Sequence, residues 1–216
     1  MKETKKYLRE RWKSKEFLGF FPHSIDYNMN VEVLSDTDFR GITKLGCGEP
    51  FWKFPNLNST NLKNIDFSYG DGSISISQSE IESFLFLDFN FDRSSSMNKS
   101  TIKNSTFVNA KLTFNANDTT FENCDFSNSK FKGGFNEWGF RRCKFINCNF
   151  TSAFWKNTYI FASMFINCDF KDFRIENSLI RGFKVSKLEE ATSLIFENCE
   201  EVSGLIEINT EDVTFC

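Results

Sequence analysis

Proline is nearly missing from this chain: three residues among 216, at Pro22, Pro50 and Pro55. Proline removes a ladder hydrogen bond, so its absence after residue 55 suits stacked strands. Histidine occurs once, at His23. It has no Ser or Cys partner in any recognisable pattern and reads as a structural residue. No glycine-rich phosphate loop is present. Long apolar runs are missing too. The one near the charged N-terminus, Phe17 to Phe21, is too short for a signal-peptide core or a membrane span. The formal net charge of −3 gives no reason to expect direct nucleic-acid binding. Seven cysteines, an odd number in a chain of this length, do not make a disulfide framework. They also lack ligand-type CxxC spacing, so no metal is expected. The expectation is a reduced, cytoplasmic protein without cofactor or membrane contact.

What the chain has in excess is phenylalanine, 28 residues. From Ile76 to Val185 a large apolar residue recurs almost every fifth position, a period that fits neither an α-helix nor a flat strand. It fits a chain that turns a corner every five residues and points one side chain inward per side. All 23 teeth of this comb are apolar, where about nine would be at the overall 40%. The phase slips at 91→97, 112→116 and 131→135, each time after a block of four teeth, so four sides make one square coil. The coils read 76, 81, 86, 91; 97, 102, 107, 112; 116, 121, 126, 131; 135, 140, 145, 150; 155, 160, 165, 170; and a last one from 175, with Leu57, Leu62 and Phe67 giving a weaker first coil. This stacks Phe86, Phe107, Phe126, Phe145 and Phe165 on the third side. Roughly seven coils at strand spacing make a rod of about 33 Å.

A second inward position lies two residues before each tooth and is small in 16 of 23 cases. In this phasing Cys124 stacks on Cys143 and Cys148 on Cys168. The large exceptions, Phe84, Phe89, Phe114, Trp138, Phe173 and Phe183, require the coil to widen or the side chain to flip out. The residue after each tooth is polar in 18 of 23 cases, as an outward position should be.

The units Cys124-Asp125-Phe126-Ser127-Asn128, Cys148-Asn149-Phe150-Thr151-Ser152 and Cys168-Asp169-Phe170-Lys171-Asp172 resemble the pentapeptide-repeat family. The resemblance spans roughly residues 57–187. It implies an all-β, right-handed quadrilateral β-helix of about six to seven coils, here with a short N-terminal helix. It also implies relatives that work through protein contacts, among them proteins that protect DNA gyrase from quinolones.

Residues 1–56 lie outside the repeat. Residues 1–16 carry a net +4, and Leu8 and Trp12 at i, i+4 predict a short amphipathic helix. It serves as a plug for the open first coil, a basic arm or a membrane-surface helix. Phe51, Trp52 and Phe54 crowd a Gly/Pro-punctuated loop. They either pack on the first coil or, if exposed, are binding hot spots. Trp138, off pattern beside Gly133-Gly134, is a smaller bulge of the same kind. Residues 188–216 contain no Lys or Arg and eight acids, Glu189, Glu190, Glu197, Glu200, Glu201, Glu207, Glu211 and Asp212. They form a solvated acidic cap or a patch for a basic partner. A homodimer would need Leu205, Ile206, Ile208 and Val213 to outweigh that acidity.

Left-handed hexapeptide-repeat acyltransferases have a period of six and a catalytic histidine in the coil; this chain has neither. The expected function is therefore non-catalytic: a binding or scaffold protein, of immunity or effector type, that acts on a protein such as a toxin or topoisomerase. The alternative is a DNA mimic that binds DNA gyrase. A mimic needs a continuous acidic stripe, whereas residues 17–187 are near +1.

Overall fold

The computed structural model describes residues 3–13, 34–43, 57–133, 139–186, 194–203 and 213–215, with side chains left undescribed at 183, 184, 186, 194, 200–203 and 213–215. The architecture is the expected all-β quadrilateral solenoid with one short N-terminal helix. Every strand pairing within it is parallel. On the first, second and fourth faces most sides are strands of two to four residues whose tooth is buried and whose neighbours face out. Third-face sides are single parallel bridges. In the last coils the first and second sides join into the eight-residue strands Tyr159–Ile166 and Leu179–Ser186. The residue two past the tooth turns the corner. Among the described residues, 22 non-glycine residues have positive φ, and 14 of them are Asn or Asp. These side chains tolerate the left-handed region better than others, which explains the abundance of Asn at the corners.

The register defines four inward ladders. The first face stacks Leu57, Ile76, Met97, Ala116, Phe140, Ile160 and Ile180. The second stacks Leu62, Ile81, Ile102, Phe121, Phe145, Phe165 and Val185. On the third, bridges from Asp38 to Asp169 bring seven phenylalanine rings into one column: Phe39, Phe67, Phe86, Phe107, Phe126, Phe150 and Phe170. Neighbouring centroids lie 4.6–5.6 Å apart with planes within 21° of parallel. Each such contact adds about 0.5–1.5 kcal/mol beyond burial. The fourth face stacks Leu112, Phe131, Trp155, Ile175 and Phe196 and continues into the strand Val213–Phe215.

This register corrects the phase expected beyond Phe131. Phe145 stacks on Phe121, at 4.9 Å, rather than on Phe126, whose partner is Phe150. Cys124 consequently shares its ladder with Cys148 and Cys168, while Cys143 stands in another column, between Thr119 and Ser163. The cause is a coil 24 residues long, from Ala116 to Phe140, against 19 from Met97 to Ala116 and 20 from Phe140 to Ile160. Residues 134–138, among them the expected tooth Phe135, lie outside the described residues. One whole repeat added at a corner keeps the five-residue period, so the comb alone cannot reveal it. At the ends of this excursion, a Cβ on Gly133 would strike the Asn157 carbonyl oxygen and one on Gly139 that of Tyr159.

Phe84, Phe89, Phe114 and Phe173 are fully buried, so they have not flipped out. Phe114 fills the space left by the small tooth Ala116 and touches Phe91, Phe107, Phe131 and Phe140. Several hydroxylic inner positions accept backbone N–H groups of the preceding coil, as Ser100 does from Ser79 and Ser105 from Phe84, whereas the hydroxyls of Ser129 and Thr158 are buried without a partner. At the start of the rod, helix α1 (Lys5–Glu10) buries Leu8, and Trp12 just after it is buried as well. The Trp12 ring stacks on Phe39, the first ring of the column. Gly41, at φ +75°, lets the backbone of Leu8 approach where a Cβ would lie 2.5 Å away. Arg9 Nε donates to the Tyr69 carbonyl and Trp12 Nε1 to that of Arg40.

Candidate functional site

The shaft is filled with side chains, so anything the protein recognises must meet its outside. Outward positions repeat at about 4.8 Å along each face, which turns every face into columns of side chains. The second face holds Glu80, Glu82, Glu122 and the Lys103–Glu122 pair. The third holds Asp66, Asp125 and Asp169, each accepting from the backbone N–H two residues on. The fourth mixes Lys111, Lys130 and Lys132 with the Lys156–Glu176 and Arg174–Glu197 pairs. Along the corner between the second and third faces, amides of Asn123, Asn147 and Asn167 each donate to the asparagine one coil earlier, at 2.9–3.1 Å. Within the described side chains, acids never occupy more than two successive rungs of a column.

The first face differs. From Asn58 to Arg181 its outward strand positions carry no acid at all. Its first half is serine and asparagine: Ser75 and Ser96 hydroxyls lie 3.0 Å apart and the Asn117 amide donates to Asn98. Its second half is a small array on three successive strands, Gly139–Arg141, Tyr159–Ile166 and Leu179–Ser186. Tyr159 and Phe161 flank the buried tooth Ile160, so both rings face out, and they stack at 5.9 Å. The Arg141 guanidinium lies 5.1 Å above the Tyr159 ring. Among the described residues Arg141 has no carboxylate partner, and its Nε is buried without an acceptor. On the next strand Leu179 and Arg181 continue the two columns. The neighbouring Arg142 is already engaged, holding both oxygens of Asp118 at 2.6 and 2.7 Å and drawing that carboxyl below its usual range.

The residues singled out from the sequence are placed unevenly. Phe51, Trp52, Phe54, Trp138, Glu207, Glu211 and Asp212 lie outside the described residues, as does His23. Glu200 and Glu201 are on the strand Glu200–Ser203, which follows Leu179–Ser186 in the stack. Glu197 pairs with Arg174 on the fourth face. Sequence reasoning missed Tyr159, Phe161 and Arg141. The signal was there: Phe161 is one of the five apolar residues at positions after a tooth that are otherwise polar. Among the described residues no group of three His, Cys, Asp or Glu could hold a metal ion. Burial pushes the Cys143 thiol up to about 12 and raises Cys148 and Cys168 as well, away from thiolate reactivity. No described helix is long and apolar enough to cross a membrane.

A five-residue unit, four faces and continuous inward ladders define a pentapeptide-repeat β-helix. No family profile and no curated protein matches the chain. Among solved structures, a trypsin-treated form of QnrB1, a plasmid-mediated fluoroquinolone resistance protein, is 15% identical over 83% of this chain and 91% of that one, with a TM-score of 0.41. HetL, a pentapeptide repeat protein involved in heterocyst differentiation regulation from the cyanobacterium Nostoc sp. strain PCC 7120, is 9% identical over 83% and 89%, with a TM-score of 0.22. Likenesses this loose carry no weight for function, and the class rests on the chain's own repeat.

Proposed function

We propose that the protein is a rigid, non-catalytic rod that binds another protein through its outer faces, as a scaffold or in an immunity or effector role. The observation that carries this reading is the contrast between a side-chain-filled shaft and a first face that presents the outward-facing Tyr159–Phe161 pair beside Arg141, which has no carboxylate partner among the described residues. Tyr, Arg and other large groups of this kind concentrate binding energy at interfaces. The free thiols Cys124, Cys143, Cys148, Cys168 and Cys199 support a reducing, cytoplasmic setting. The segment 1–56 serves as N-terminal cap, 57–187 as the rod and 188–216 as an acidic C-terminal cap. Phe51, Trp52, Phe54 and Trp138 are further candidate contacts, and so is the acidic end. Affinity capture from the native cell tests the reading. One or more proteins should be enriched over an unrelated solenoid, and loss of that enrichment in a Phe51→Ala/Trp52→Ala or Phe161→Ser variant assigns the contact. No enrichment with the native chain defeats it.

A duplex mimic acting on a type II topoisomerase such as DNA gyrase is the second reading. It draws on the eight acids of residues 188–216. The interrupted acidic columns of the rod weigh against it, since a mimic has to present charge rung after rung. Supercoiling by gyrase in the presence of the purified protein separates the two. No effect at micromolar levels, with or without a quinolone, removes the topoisomerase from the list of partners.

A further inference from the structure

We infer that the first face is the docking surface for an extended, acidic protein segment that carries aromatic or aliphatic side chains. This deepens the binding-rod reading and rests on it. Three features of the face converge on such a partner. Its outward strand positions lack acids from Asn58 to Arg181 in a chain that has 29, so on these strands a carboxylate meets no like charge at an outward position. The nearest acids are Asp118, at the adjoining corner and neutralised by Arg142, and Glu200 on the following strand. Arg141 is held against the Tyr159 ring with its Nε buried and unsatisfied. A guanidinium fixed in this way is prepared for the two oxygens of a carboxylate, because its planar fork is already oriented. The Tyr159–Phe161 pair and Leu179 supply a flat apolar area beside that fork, and Ser and Asn side chains continue the face with hydrogen-bond donors and acceptors.

The same features select a protein over a nucleic acid. A phosphate backbone demands a succession of cations not already committed. On this face the described outward strand positions hold two cations, Arg141 and Arg181, about 9.6 Å apart across two rungs, and Arg181 already has an interaction of its own. Arg142, at the adjoining corner, is spent on Asp118. One oriented guanidinium beside an aromatic pair instead matches a segment in which a Glu or Asp alternates with apolar residues. An extended peptide of about 12 residues spans some 40 Å, enough to follow the rod from end to end.

The test uses the full-length protein and fluorescein-labelled peptides of about 12 residues in which Glu alternates with Leu and Phe. Lys-for-Glu and Ser-for-Leu/Phe versions serve as controls, and a thymidine oligonucleotide of about 20 nucleotides serves as a probe of single-strand binding. The Glu/Leu/Phe peptides should bind, both control peptides should bind at least about ten-fold more weakly, and Arg141→Ala and Phe161→Ser should each weaken binding by a similar factor. Lys111→Ala and Lys130→Ala, on the fourth face, should not. Far-UV circular dichroism and thermal unfolding of each variant confirm that the fold is intact. Oligonucleotide binding that depends on Arg141 and Phe161 would reassign the face to single-stranded nucleic acid. Self-association abolished by the same substitutions would reassign it to a second copy. Either result overturns the inference, as does failure of the acidic peptides to bind. If cellular capture persists in the Arg141→Ala and Phe161→Ser proteins, only the assignment to this face falls. If the native chain captures nothing, the binding-rod reading falls with it.

Discussion

Phe114 and Ala116 show how the interior is balanced one residue at a time. The tooth position of that side holds a methyl group, and the ring that would fill it comes from two residues earlier. Phe114→Ala should therefore cost about 3–5 kcal/mol. Ala116→Phe should cost about 1–3 kcal/mol through overpacking. Combining the two should recover part of the loss, because the second ring enters the volume vacated by the first. Urea unfolding of the three variants measures this, and strictly additive losses would show that the two sites do not share space. The cysteines make a second residue-scale case. With the thiols of Cys143, Cys148 and Cys168 raised by burial, iodoacetamide at mildly alkaline pH should leave them unlabelled in the native protein. They should be labelled fully in denaturant, as read by peptide mass spectrometry.

At the scale of the single side and the single coil, the decisive element is the long coil between Ala116 and Phe140. With residues 134–138 removed, Phe131 and Phe140 would be separated by the same four-residue step that joins Leu112 to Ala116. The deletion should leave the β-type circular dichroism unchanged and shift the thermal midpoint by no more than a few degrees, since the length of a connection itself contributes little. Much of this was legible in the sequence. The teeth, the four-tooth coil and the small inner positions follow from side-chain size alone, and every described tooth is buried. The stacking order past Phe131 was not legible, because an insertion of one full period is silent to a periodicity. The binding face was only half legible. Phe161 breaks the rule for outward positions in plain sight, but its alignment with Arg141 and Arg181 depends on register. That register is set by coils of 24, 20 and 20 residues, which the chain does not spell out.

For the whole molecule, the open end of the stack is what the N-terminal helix covers. A solenoid's coils touch only their neighbours, so an unplugged end exposes core and frays. The plug is fastened by Asp38, which accepts hydrogen bonds from both Arg11 and Arg40. Burial opposes ionisation of this carboxyl, but the two guanidinium groups outweigh it and hold it well below its ordinary 3.8. A depressed carboxyl stabilises the fold above its ordinary value and loses that contribution as pH falls from there towards its native value. Asp38→Asn should thus speed hydrogen exchange at Leu8 and Trp12 at neutral pH, after correction for intrinsic rates. The difference from the native chain should shrink progressively below about pH 4. A pH-independent difference would mean that the fastening is steric rather than ionic.

Gly133 and Gly139 also make the middle of the rod a natural port for cargo. Whatever is spliced between them leaves and re-enters beside the carbonyls of Asn157 and Tyr159, with the aromatic shaft unbroken above and below. An antigenic loop or a fluorophore-binding tag grafted there would be displayed at a fixed height, a short step around the corner from the Tyr159 ring.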